Sequence, residues 1–61
     1  MIDPSRLQEG DCVWVEEKSR PGKKYKGRIE ESRLKPGKMV IRIYGHLSNL
    51  DYLNILGYVN A

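Results

Sequence analysis

This chain of 61 residues has one cysteine and one histidine. A lone Cys12 makes no intramolecular disulfide, and a free thiol suits a reducing compartment, so the cytoplasm is the expected location. A structural zinc site needs about four ligands at characteristic spacing, and Cys12 and His46 supply two with no sequence context linking them. The same pair is the sole candidate for a nucleophile and its base; a small apolar filler and a loop histidine are the simpler reading. No glycine run capable of cradling a phosphate occurs, since Gly22 and Gly37 stand alone. A basic leader followed by an apolar run is also missing, as is a stretch of roughly 18 apolar residues, so neither secretion nor a membrane span is expected. A chain this short makes one domain, residues 1–61, without room for a cofactor cleft and a lid. The expectation is a protein with no enzymatic activity, no cofactor and no metal.

Positive charge is what the chain has in excess. The formal net charge is +3, but residues 18–42 hold Lys18, Arg20, Lys23, Lys24, Lys26, Arg28, Arg33, Lys35, Lys38 and Arg42 against only Glu30 and Glu31. The flanking segments are acidic or nearly neutral, so the positive field is concentrated in the middle of the chain. Two stretches there repeat a pattern, KSRPGKKYKGR and RLKPGKMVIR, each with a proline-glycine pair framed by cations. Pro-Gly meets the needs of a type II turn, with a fixed φ at its second position and tolerance of positive φ at its third.

The apolar pattern is that of strands. Asp3-Pro4 fits a helix cap followed by proline at the first helical position, giving one helical turn over 4–8, and Gly10-Asp11 then turns the chain. In DCVWVEE, Val13 and Val15 face one way while Cys12, Trp14 and Glu16 face the other. Pro21-Gly22 marks a loop tip, after which Tyr25, Gly27 and Ile29 alternate with Lys24, Lys26, Arg28 and Glu30. Gly27 inside that strand signals a bulge or a close crossing. KMVIRIYG makes a third strand, with Met39, Ile41 and Ile43 on one face and Val40, Arg42 and Tyr44 on the other. Because an L-Pro-Gly turn does not match the primed turns of tight hairpins, a longer loop around Pro36-Gly37 is expected. A register placing Ile29 opposite Ile43 sets Glu30 opposite Arg42 and Arg28 opposite Tyr44. In the tail, Ser48 and Asp51 resemble a capping box with Leu50, Leu53 and Leu56 at helical spacing. The alternative, favoured because three strands leave two open edges, is a single helical turn and then a closing strand.

The GDCVWV start at residues 10–15, the strand spacing over most of the chain and the closing strand resemble the SH3-like small β-barrels, the group of Tudor, KOW and retroviral integrase C-terminal domains. The resemblance implies a mostly β fold: a small SH3-like barrel of about four to five antiparallel strands with a short helical turn near the C-terminus. Many members of that group bind nucleic acid and others bind proteins or peptides, so the fold alone does not choose a function. The KOW glycine pattern is missing, and no Tudor aromatic cage maps onto these residues.

Function therefore has to come from a surface. Opposite Val13, Val15, Ile29, Ile41 and Ile43, the alternation gathers Trp14, Lys24, Lys26, Arg28, Arg42 and Tyr44, with Arg20, Lys23, Lys35 and Lys38 extending from the two turns. Cations neutralise phosphates and release counterions, and an exposed ring stacks on a base, so this set suits nucleic acid, DNA or RNA, with little sequence preference. The ordinary alternative is that turn lysines are merely solvated and protect sheet edges, and that Trp14 lies under the C-terminal segment. Against it, ten cations within 25 residues repel one another unless a partner uses them. A module docking on an acidic protein would use the same face. A peptide or methyl-lysine reader built on Trp14, Tyr25 and Tyr44 is disfavoured by the surrounding positive charge. A monomer or weak homodimer is expected.

Overall fold

Val13 and Val15 are completely buried while Cys12 and Trp14, their neighbours in the alternation, are exposed, and this single strand sets the inside and outside of the whole molecule. The computed structural model describes residues 2–59. Five strands, β1 (Cys12–Glu17), β2 (Arg20–Glu31), β3 (Met39–Ile43), β4 (His46–Asn49) and β5 (Leu53–Tyr58), form one antiparallel sheet in the order β4-β3-β2-β1-β5. The fold is thus mostly β, with the expected helical turn present as a three-residue 3-10 turn, Leu50–Tyr52, just before the last strand. No helix of the described residues is long and apolar enough to cross a membrane.

Consecutive strands β1 to β4 pair in sequence order, and β5 then returns to the free side of β1. The inner face carries Val13, Val15, Ile29, Ile41 and Ile55, each almost wholly excluded from water, joined by Leu7, Leu50 and Leu53. Leu7 reaches this core from the N-terminal 3-10 turn, Pro4–Arg6, where the Asp3 side chain accepts from the Ser5 N–H at 3.0 Å. Ahead of that turn, the Ile2 N–H donates to the Ile55 carbonyl at 2.9 Å, so the N-terminal segment partly covers the outer edge of β5. Gly27 is the close crossing that its place in a strand signals. A Cβ there would lie 2.5 Å from Ile41 Cδ1 and 2.6 Å from Cγ1, so β2 can lie over the Ile41 side chain only without one.

Three local expectations need correction. Pro21-Gly22 is not the loop tip: the chain reverses at Lys18-Ser19, with Glu17 opposite Arg20, and the proline-glycine pair lies inside β2. There it sits in an irregularity of the β1–β2 pairing between Glu16 and Glu17. Gly22 takes a positive φ of 107°, and its N–H donates to Glu16 Oε2 at 3.1 Å. The β2–β3 register is offset by two residues from the expected one. Ile29 faces Ile41, Arg28 faces Arg42 and Glu30 faces Val40; an offset of two leaves every side chain on its expected face. Finally, residues 46–49 are a strand in their own right, and the cap of the following turn is Asn49, whose side chain accepts from the Asp51 N–H at 3.0 Å, in place of Ser48.

The loop around Pro36-Gly37 is long, as expected. Lys38 N–H bonds the Lys35 carbonyl at 3.0 Å across Pro36 and Gly37, and Ser32 N–H bonds the Lys38 carbonyl at 2.7 Å. Gly37 has φ 89°, the conformation a type II turn requires at that position.

Candidate nucleic-acid interface

Antiparallel pairing places directly opposed residues on the same face, so the outer surface can be read row by row. Trp14 on β1 is opposed by Lys26 on β2 and by Gly57 on β5. One step along, Cys12 is opposed by Arg28, which is opposed by Arg42 and then by Leu47 of β4. One step the other way, Glu16 is flanked by Lys24 and Asn54. The indole of Trp14 is therefore bordered by the column Lys24, Lys26 and Arg28 on one side. On the other it borders a residue with no side chain. Trp14 keeps 38% of its surface exposed, so the neighbouring strands cover it only in part.

The ten residues expected to form the site do not form one patch. Trp14, Lys24, Lys26, Arg28 and Arg42 share the outer face of the central strands. Arg42 is committed within it: its Nε and Nη2 contact the Glu30 carboxylate at 2.6 and 3.3 Å, and its Nη1 donates to the Gly45 carbonyl at 2.9 Å. That hydrogen bond, with the nearby positive charge, holds the Glu30 carboxyl below the usual carboxylate range and raises the Arg42 guanidinium further. It is the one ion pair among the described residues, so Lys24, Lys26 and Arg28 are in no close ion pair there, although Glu16 stands opposite Lys24 and the Glu30 charge lies near Arg28. Glu16, the other acid on this face, accepts from Gly22 N–H and from Asn54 Nδ2 at 3.5 Å.

Tyr44 and Lys23 go elsewhere. The regular strand ends at Ile43, and Tyr44 with Gly45 makes a two-residue turn to His46, both at positive φ, 50° and 82°. That left-handed step breaks the alternation, and the Tyr44 ring stands edge-on to Tyr25 with centroids 6.2 Å apart. Tyr25 belongs to the inner face of β2 and packs partly against the core. The Lys23 ammonium lies 5.5 Å from the centroid of that same ring, a cation–π contact. Arg20 sits at the β1–β2 hairpin. Lys35 and Lys38 flank the turn at the opposite end of β2, beside Arg33 and Leu34. One proline-glycine pair thus lies near the start of the 12-residue β2 and the other in the loop that follows it, with the outer-face cations of β2 between them.

Sequence reasoning missed Gly57 as part of this surface. The alternation of β5 would turn it inward, but an irregularity in the β1–β5 pairing between Trp14 and Val15 sets it opposite Trp14. No group of three or more His, Cys, Asp or Glu side chains among the described residues is arranged to hold a metal ion. Comparison with known families, with curated proteins and with solved structures finds no match to this chain.

Proposed function

We propose that this protein is a non-enzymatic nucleic-acid-binding module of the SH3-like barrel type that uses the outer face of β1 and β2. The observation that carries this reading is the juxtaposition on one sheet face of a half-open indole, Trp14, with three cations in no close ion pair, Lys24, Lys26 and Arg28. The cations meet phosphates, and the ring offers a face to a base. A four-strand meander whose fifth strand returns to β1 after a single helical turn supports the fold assignment, and a free thiol at exposed Cys12 is in keeping with a cytoplasmic setting.

The test uses the intrinsic fluorescence of Trp14, the single tryptophan. Titration with short oligonucleotides at low and moderate salt is expected to give a saturable change whose midpoint weakens steeply as salt rises. Replacing Lys24, Lys26 and Arg28 together by glutamate abolishes it. If neither fluorescence nor a mobility assay detects binding at low salt, the reading fails. A saturable complex with an acidic protein would then assign the same cations to protein docking.

A further inference from the structure

The pairing of Trp14 with Gly57 leaves a gap on the outer face. A Cβ built on Gly57 would meet no heavy atom within 4 Å apart from its chain neighbours Leu56 and Tyr58, so the Trp14 indole does not occupy the space directly over Gly57. Trp14 stands across the β1–β5 pairing from this opening, Lys26 stands across the β1–β2 pairing from Trp14, and half-buried Leu56 borders the opening along β5. Lys24, Lys26 and Arg28 follow one another at every second residue, a spacing of about 6.8 Å along one face.

We propose that the gap beside Trp14 takes one unpaired base and that the protein consequently binds single-stranded nucleic acid in preference to duplex; this deepens the function proposed above and rests on it. An extended strand lays successive phosphates along Lys24, Lys26 and Arg28 and turns one base over Gly57 against the indole. A duplex offers the same phosphates but keeps its base faces stacked, and extracting a base costs energy that nothing else on this face repays. Nor does the site fit a groove. β1 is flanked on both sides, by β2 and β5, within a sheet of five strands. At about 4.8 Å per strand such a sheet is wider than the roughly 12 Å major groove. Both helical elements of the described residues are three-residue 3-10 turns, too short to serve as a recognition helix.

Fluorescence anisotropy with labelled oligothymidylate, the same strand annealed to its complement, and a strand of equal length carrying abasic sugars tests this at one fixed salt concentration. The intact single strand is expected to bind about five- to a hundredfold more tightly than the abasic strand, the range that stacking of one base on an aromatic ring spans, and more tightly than the duplex. Gly57→Leu fills the gap and is expected to bring the intact strand down to the affinity of the abasic one, with an unchanged thermal midpoint. Equal affinity of the wild-type protein for intact and abasic strands, or for strand and duplex, overturns the inference while leaving salt-dependent phosphate binding in place. Wild-type affinity in a folded Gly57→Leu variant overturns the gap as the base site. No binding to any of the three probes removes the underlying reading itself. The abasic comparison needs no variant, so a poorly folded Gly57→Leu protein does not compromise the test.

Discussion

Arg42 grips Glu30 with two nitrogens, at 2.6 and 3.3 Å, and ties the pair to the β3–β4 turn through the Gly45 carbonyl at 2.9 Å. Directly opposite Arg42 on β2 stands Arg28, and like charges at opposed positions of a sheet destabilise it. Glu30, two residues along β2 from Arg28, offsets that repulsion: it hydrogen-bonds Arg42 and lies close enough to Arg28 for their charges to attract. The two arginines are therefore not equivalent. Arg42 organises the sheet, while Arg28 is in no close ion pair.

The first prediction separates those roles. Arg28→Gln is expected to weaken oligonucleotide binding several-fold and to flatten its salt dependence by roughly 0.7 in the log–log slope, the amount for one phosphate contact to a single strand, with the denaturation midpoint unchanged or raised. Arg42→Gln is expected to do the reverse, lowering the urea midpoint while leaving the salt slope intact. Matched slopes in the two variants would show that Arg42 also reaches the ligand.

The pair also sets a pH dependence. Glu30 is held below its ordinary value, mainly by the Arg42 hydrogen bond, and Asp3 is held down by the Ser5 backbone N–H. A carboxylate whose folded pKa is depressed contributes stability that is present above its unfolded pKa of about 4 and is lost as pH falls through the folded value. Stability should therefore be level from neutral pH to about 5 and decline below about 4. In Glu30→Gln the decline should be shallower, and in Glu30→Gln with Asp3→Asn shallower again. Urea midpoints measured at pH 7 and pH 3 read this directly.

A gain of affinity is available at Glu16. Its carboxylate lies on the binding face beside Lys24 and two residues from Trp14, where it opposes an approaching phosphate. Its oxygens accept from the Gly22 N–H at 3.1 Å and, at 3.5 Å, from Asn54 Nδ2; the first needs an oxygen and no charge, and the second is kept by an amide if Asn54 turns its own oxygen toward the new N–H. Glu16→Gln keeps that oxygen, so binding is expected to tighten several-fold at low salt, with the difference shrinking as screening increases. Unchanged affinity at low salt would place the ligand away from this end of β1.

Much of this was legible in the residues. The alternation in DCVWVEE and KYKGRIE gave the two faces of β1 and β2, and with them Trp14, Lys24, Lys26 and Arg28 as neighbours. Four features were hidden, each for a physical reason. The β1–β2 reversal uses Lys18-Ser19, which carries no strong turn signature, and the conspicuous Pro21-Gly22 was absorbed into an irregular stretch of β2. The β3–β4 hairpin turns on Tyr44-Gly45, where tyrosine adopts the left-handed conformation that asparagine or glycine would advertise, so β4 was lost inside an ambiguous tail. The register was offset because the cross-strand pairing Glu30–Arg42 looked chemically right; the two do meet, but diagonally, by the reach of arginine. The gap beside Trp14 depended on the irregularity that turns Gly57 outward, and pairing irregularities leave little trace in an alternation.

The last prediction concerns the two glycines of the central and edge strands, which the structure assigns opposite tolerances. Gly27 faces inward, and a methyl there would overlap Ile41 Cδ1 at 2.5 Å and press on Ile43 Cγ1 at 3.1 Å. Ile41 is fully buried in contact with a small core, so it has nowhere to retreat without moving β3. Gly27→Ala is expected to cost about 1–3 kcal/mol, the usual range for overpacking a dense interior, which is a large part of the few kcal/mol a domain of this size commands. Gly57→Ala adds its methyl to open space and is expected to leave the midpoint unchanged or slightly higher, since alanine has less backbone freedom to lose on folding. Thermal and urea unfolding of the two variants check the contrast. If Gly27→Ala is as stable as the wild type, the close approach of β2 to Ile41 is relieved by repacking, and the side chain of Ile41 is less tightly held than its burial implies.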